Sequence, residues 1–259
     1  MNSIEPIPAF SDNYIWALVG ERYAWIVDPG EAAPVRKFLS DRNLGLAGIL
    51  VTHWHPDHIG GIAELLREAA IPVVGPAGEA QRIELLTRQV ADGDLVELLG
   101  RSWRVIEVPG HTLGHIAYYS EGHLLCGDTL FSAGCGRLFE GTPEQMHHSL
   151  SRLSELPDET QVYCAHEYTA ANLAFAKAVE PDSAALREAE DSVHAARQRG
   201  LPSLPSTIGR EHRINPFLRV GEPAVIAAAR AQGAESDAPA TVFATLRNWK
   251  DNYKAQTSR

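Results

Sequence analysis

The chain is short of the residues that several common roles require. Lysine occurs only at Lys37, Lys177, Lys250 and Lys254 in 259 residues, and the formal charge is −10. A general binder of nucleic acid or of anionic membrane needs a basic face, so neither is expected as a partner. Three cysteines, Cys126, Cys135 and Cys164, make neither an even set nor a C-x-x-C pair. That argues against a disulfide framework and sets a reducing, cytoplasmic compartment as the expectation. No apolar run approaches the roughly 20 residues that span a bilayer. The first ten residues are acidic and proline-bearing, unlike a signal or transit peptide. There is no sequence repeat and no low-complexity tract. A hydrophobic content of 44% suits one large globular domain or two unequal ones.

What is present in quantity is histidine, concentrated in one stretch. Thr52-His53-Trp54-His55-Pro56-Asp57-His58 puts three imidazoles and a carboxylate into six positions, directly after the apolar run Gly48-Ile49-Leu50-Val51. Around it, strands are expected at Tyr14–Val19, Tyr23–Val27, Gly45–Val51, Pro72–Val74, Leu95–Leu98, Trp103–Val108, Ile116–Tyr119, His123–Cys126 and Thr160–Cys164. Helices are expected at Ala32–Arg42, Asp57–Ala70 and Pro143–Leu156 from apolar residues at helical spacing. After Thr169 the pattern turns helical, at 169–179, 184–199, 222–232 and 239–254, with a breaker-rich connection over 200–206. This reads as an α/β domain to about residue 170, followed by a smaller helical one.

Four expected strand ends each release a possible ligand: His53 onward, His111, Asp128 and His166. Strand-end loops are where a rigid scaffold presents its chemistry. Imidazole and carboxylate together suit zinc, iron or manganese, and the lack of a cysteine pair argues against a closed structural zinc site. Seven groups exceed what one tetrahedral ion takes, whereas two ions sharing Asp128 would use them all. His123, His147, His148, His194 and His212 are read as structural, and His115 as a possible hydrogen-bond partner of a ligand. Cys126 and Cys164 read as small buried hydrophobes, and Cys135, near the expected site, as a packing residue.

The T-H-x-H-x-D-H pattern at 52–58, with His111, Asp128 and His166, resembles the metallo-β-lactamase superfamily. Gly127-Asp128-Thr129-Leu130-Phe131, Ala133-Gly134-Cys135-Gly136-Arg137 and Phe139-Glu140-Gly141-Thr142 are similar to the hydroxyacylglutathione hydrolase, or glyoxalase II, family. So are Tyr163-Cys164-Ala165-His166-Glu167-Tyr168-Thr169 and Asn215-Pro216-Phe217-Leu218-Arg219. The resemblance runs from Asp12 to Lys254. It implies an α+β fold: an αββα sandwich over residues 1–168, then a small helical substrate-binding domain over 169–259. It also implies two divalent ions, zinc first and iron or manganese as alternatives. His53, His55, His111 and Asp128 would hold one ion, and Asp57, His58, Asp128 and His166 the other. A hydroxide shared between the ions, held by Asp128 and Asp57, would attack the thioester carbonyl.

The implied substrate is S-D-lactoylglutathione, cleaved to D-lactate and glutathione in the second step of methylglyoxal detoxification. A chain of this charge must then build a local cationic pocket. The last helix carries Val242, Leu246, Trp249 and Tyr253 as its apolar stripe, with Arg247, Lys250 and Lys254 on a neighbouring face. The R-x-x-K spacing of Arg247 and Lys250 matches the family's glutathione-carboxylate contacts, and Lys254 is left as a surface residue. Arg137 and Tyr168 match further substrate contacts, Arg137 standing where lysine is common. Phe139 stands where tyrosine is common, so one hydroxyl to the tripeptide is missing, which would weaken affinity by the about 0.5–1.5 kcal/mol of a hydrogen bond. A monomer is expected. The alternatives are another hydrolase of the superfamily (lactonase, lactamase or phosphodiesterase) or a non-catalytic glutathione-binding protein.

Overall fold

The strand Asn13–Val19 is buried along its whole length, so both of its faces have to be covered. The computed structural model describes residues 1–254. The first half holds β1 (Ser3–Ala9), β2 (Asn13–Val19), β3 (Tyr23–Val27), α1 (Ala32–Arg42), β4 (Gly45–Leu50), α2 (Pro56–Ile59), α3 (Ile62–Leu66), β5 (Val73–Pro76) and β6 (Arg88–Val90). Then follow β7 (Leu95–Leu98), β8 (Arg101–Glu107), β9 (Ile116–Ser120), β10 (His123–Gly127), β11 (Leu130–Phe131), β12 (Gly134–Cys135), α4 (Pro143–Ser154) and β13 (Gln161–Cys164). The remainder is α5 (Thr169–Val179), α6 (Ala184–Gln198), β14 (Ser206–Thr207), α7 (Ile208–Ile214), α8 (Pro223–Ala231) and α9 (Pro239–Asn252).

One six-stranded sheet runs in the order β1-β2-β3-β4-β5-β6 and the other in the order β14-β13-β10-β9-β8-β7. Side chains alternate across a strand, so β2 sends Trp16 and Leu18 to one face and Ile15 and Ala17 to the other. Trp16 and Leu18 join Trp103, Val105, Tyr118 and Leu125 of the second sheet in the inner core. Ile15 and Ala17 pack with Val35 and Leu39 of α1 and Ile62 and Leu65 of α3. On the far side, α4 contributes Met146, Leu150 and Leu153 to the inner core. This is the expected αββα sandwich, with a helical C-terminal region. Phe175, Phe217, Phe243 and Leu246 extend the same core into α5, α9 and the loop after α7.

The expected helix over 57–70 is two short ones, interrupted at Gly60-Gly61. These glycines bring α2 and α3 against the Pro29–Ala32 backbone. A Cβ on Gly61 would lie 2.6 Å from the Glu31 carbonyl carbon, and one on Gly60 would lie 2.8 Å from the Gly30 oxygen. Unanticipated elements are β1, β6, the β11–β12 hairpin, β14 and α7. They escape a periodicity reading because each is very short or, in β1, carries Pro6 and Pro8. Prolines fit there because β1 is an edge strand paired only with β2.

Gly30 is the tightest of these contacts, since a Cβ there would collide with the Asp57 carbonyl. Gly30→Ala is therefore expected to lower unfolding free energy by about 1–3 kcal/mol, the usual cost of overpacking. Urea denaturation checks this, and an unchanged midpoint would show that the Asp57 turn yields freely.

Candidate metal centre

The strands β3 and β4 run parallel in the first sheet, and β8, β10 and β13 share one direction in the second. Their C-terminal ends therefore open toward one edge of the sandwich. His53 and His55 follow β4, His111 follows β8, Asp128 follows β10 directly and His166 follows β13. Asp57 and His58 sit in α2, with Pro56 as its first residue. The structure brings all seven side chains together.

Hydrogen bonds settle which nitrogen each histidine presents. His111 Nδ1 donates to the Arg137 carbonyl at 2.8 Å, and His166 Nδ1 to Asp12 at 2.8 Å. His58 Nδ1 donates to Asp28 at 3.1 Å. Thr52 Oγ1 donates to Asp28 at 2.6 Å and accepts from His53 Nδ1 at 3.1 Å. Each of these four rings thus turns the lone pair of Nε2 inward. His55 offers Nδ1, 3.1 Å from His53 Nε2 and 2.9 Å from His111 Nε2.

The carboxylates complete two groups. Asp128 lies 3.4 Å from His111 Nε2 and from His166 Nε2, and 3.5 Å from His58 Nε2. Asp57 lies 3.4 Å from His58 Nε2 and 3.5 Å from His166 Nε2, and accepts from Asn13 at 3.0 Å. His53, His55 and His111 are one compact donor triad, and Asp57, His58 and His166 another. Bonds of about 2.0–2.2 Å to a tetrahedral ion put its ligand atoms roughly 3.3–3.6 Å apart, close to the spacing seen. His58 Nε2 and Asp128 Oδ1 are buried without a hydrogen-bond partner. Nitrogen and carboxylate donors converging at this spacing, two of them without a hydrogen-bond partner, fit divalent cations.

Burial pushes the His53 pKa well down, and the other imidazoles push it further, so the ring is a neutral donor. Burial opposes charge on Asp128 too, but His166, His58 and His111 hold its carboxyl below the usual range. His115 is fully buried and stacks on His53, and its Nε2 accepts from the Asp128 amide at 3.1 Å.

A cavity of about 620 Å³ opens over the donors, with His55, Asp57, His111, Asp128 and His166 in its lining. Arg137, Phe139, Tyr168, Arg247 and Lys250 line it as well. Tyr168 stacks on His166 with ring centroids 4.6 Å apart, and Phe139 stands edge-on to His55 and His111. Arg247, expected on the face beside the apolar stripe of the last helix, is more enclosed than that pattern shows. It is buried, donating to the Cys135 carbonyl at 3.0 Å and to Asp251 at 2.9 Å, because α9 packs this side against the β11–β12 hairpin. Lys250 Nζ donates to the Ala171 carbonyl, and Lys254 is exposed. Asp12, Asn13 and Asp28 were not among the expected site residues. Asp28 ends β3 in a left-handed conformation, φ 52°, so the strand-end argument that found Asp128 would have reached it.

A model of the metallo-beta-lactamase superfamily matches residues 10–166, and one for the hydroxyacylglutathione hydrolase C-terminus matches residues 167–253. Hydroxyacylglutathione hydrolase of Vibrio cholerae serotype O1 is 52% identical over 255 residues, covering 98% of this chain and 100% of that protein. That of Aliivibrio salmonicida is 54% identical, covering 96% of this chain and 99% of its own. Among solved structures, ETHE1 from Myxococcus xanthus is 25% identical with a TM-score of 0.65, covering 96% of this chain and 98% of that one. TTHA1623, crystallised in a di-iron-bound form, is 25% identical with a TM-score of 0.59, covering 83% of this chain and all of that one.

Cations that fill these donor groups only in the folded state should stabilise it by about 2.7 kcal/mol per site at a hundredfold excess over Kd. The thermal midpoint of chelator-stripped protein should rise with added zinc. A midpoint independent of zinc, iron and manganese would count against cation binding here.

Proposed function

The chain belongs to the hydroxyacylglutathione hydrolase (glyoxalase II) family of the metallo-β-lactamase superfamily, and from that premise we propose how its residues divide the hydrolysis of S-D-lactoylglutathione to D-lactate and glutathione. His53, His55 and His111 hold one divalent ion and Asp57, His58 and His166 the other, with Asp128 shared. The carrying observation is that seven lone-pair donors, four of them rings anchored through Nδ1, converge beneath a cavity with cationic walls. When bound, the ions would supply Lewis acidity toward the thioester carbonyl and lower the pKa of a bound water to about 7. Zinc is the first assignment, and the di-iron form of a structural neighbour supports iron as the alternative.

The protein's own groups bind and orient. Arg137, Arg247 and Lys250 supply positive charge for the glutathione carboxylates, and Asp251 already shares Arg247 and lies 3.6 Å from Arg137. Tyr168 holds the His166 ring by stacking, and Phe139 gives the cavity an apolar wall beside His55. We assign the catalytic domain to residues 1–168 and the substrate-binding domain to 169–259, whose last five residues lie outside those described. The reading extends to the cytoplasm, on the grounds of cysteine usage given above, and to a monomer. No helix among the described residues is long and apolar enough to cross a membrane.

The test supplies S-D-lactoylglutathione, a β-lactam and a phosphodiester to metal-replete and chelated protein. Thioester turnover that stops on chelation is expected. Turnover of the β-lactam or diester alone would transfer the site to another hydrolase of the superfamily, and no turnover would leave a binding protein.

Burial, with Arg247 adding repulsion, lowers the pKa of Lys250 to about 8. Its charge is present below that pH and lost above it. KM should therefore rise by up to roughly tenfold between pH 7 and 9, while Lys250→Arg, charged throughout, stays flat. Parallel profiles for both proteins would remove Lys250 from carboxylate binding.

A further inference from the structure

Among the histidines of the two donor groups, His55 stands apart. The other four are held through Nδ1, whereas His55 presents Nδ1 inward and its Nε2 makes no hydrogen bond among the described residues. Something else must hold this ring, and its neighbour Trp54 shows what does. Glu140 accepts from Trp54 Nε1 at 3.1 Å and from the Leu113 amide at 2.9 Å. It also pairs with Arg82, whose guanidinium lies over the Trp54 ring, 4.5 Å from its centroid. Trp54 lies between His53 and His55, and Leu113 lies two residues beyond His111, so one carboxylate fastens both loops.

Glu79 holds the His111 loop from inside. It is only 4% exposed and accepts a short hydrogen bond from the Thr112 hydroxyl. It also packs so closely on the His111 loop that a Cβ on Gly114 would come within 2.5 Å of its Cγ. Burial pushes its pKa up, against the Thr112 hydroxyl and the Trp54 and Gly114 amides, and Oε2 is buried with no hydrogen-bond partner. The Glu140 segment is itself stitched to the His111 loop, with the Phe139 amide donating to the His111 carbonyl at 3.3 Å and the Gly141 amide to the Gly110 carbonyl at 3.0 Å.

We propose that Glu140 braces the His53–His55 loop against the His111 loop, which Glu79 holds from inside, so that the two carboxylates position the ligands of the first ion and not those of the second. This rests on the ligand assignment made above. His55 Nδ1 and His111 Nε2 come from opposite sides of the brace and lie 2.9 Å apart. Letting the loops separate by even about 1 Å would take one donor out of reach of a bond that tolerates roughly 0.2 Å. By contrast His58 and His166 are anchored by Asp28 and Asp12, which the brace does not touch.

The test titrates metal-depleted full-length protein with zinc against a chromophoric chelator, where the native chain should show two binding events. Glu140→Ala and Glu79→Ala should weaken one event by about 10–100-fold and leave the other, the usual cost of losing a ligand's outer partner. Glu140→Gln, which keeps an acceptor oxygen, should recover part of the loss. Asp12→Asn, which touches His166 and no ligand of the first ion, should weaken the other event. In the brace variants kcat should fall at limiting zinc and recover in excess. Brace variants that lose thermal stability but bind both ions normally would overturn the proposal, as would weakening of the same event as in Asp12→Asn. If Glu79→Ala fails to fold, Thr112→Val carries that arm, since it removes only the hydroxyl. A native chain that takes up no zinc would remove the ligand assignment, and the brace with it.

Discussion

Lone pairs aimed at one another are what this structure has to manage. His53 Nε2, His55 Nδ1 and His111 Nε2 meet at 3.1 Å or less, and with the Nδ1 protons of His53 and His111 committed elsewhere, only the His55 proton is left to serve both contacts. Each unpaired buried group costs about 1–3 kcal/mol, and the second donor group adds His58 Nε2 and Asp128 Oδ1 to the account. Without a cation such an arrangement holds only if every ring is pinned from behind. That is why carboxylates surround the site: Asp12 behind His166, Asp28 behind His58 and Thr52, and Glu140 behind Trp54.

The fold meets this requirement by ending strands rather than by shaping helices. Strand ends that share a direction place their following residues side by side, so donors far apart in the chain arrive at one edge. Close backbone approach then removes slack. Gly60 and Gly61 press α2 and α3 onto the Pro29–Ala32 segment, and the Thr52 amide donates to Asp28 Oδ1 at 2.8 Å. The β3 end and the β4 end are thereby locked together directly under His53 and His58.

The donor stretch was legible in the sequence because imidazoles at such density after an apolar strand have no ordinary structural use. The apolar runs and their alternation with helices made an α/β domain legible, whereas the αββα sandwich was implied by the family resemblance. The anchors were not legible. Asp12 and His166 are 154 residues apart, and Glu140 and Trp54 are 86 apart, and a single carboxylate in a loop carries no mark of its partner. Arg247 was legible as a cation on the last helix but not as a buried one. Its burial depends on the β11–β12 hairpin, whose two-residue strands leave no periodic signal.

That hairpin also explains why the helical region is more than an added wall. Glu211 of α7 is fully buried and accepts from the Ala133 amide at 2.7 Å and from Ser132 at 3.0 Å, while Asn215 donates to the Phe131 and Gly134 carbonyls. The helical region thus grips the segment that runs from Asp128 to Arg137. Within that segment the Cys135 carbonyl accepts from Arg247, and two residues later the Arg137 carbonyl accepts from His111. One short loop therefore carries the contact of the cationic wall at one point and that of a proposed first-ion ligand at the next. A displacement of either must be transmitted to the other, so the spacing between the cationic wall and the proposed first-ion ligand is set within the chain by a span of three residues.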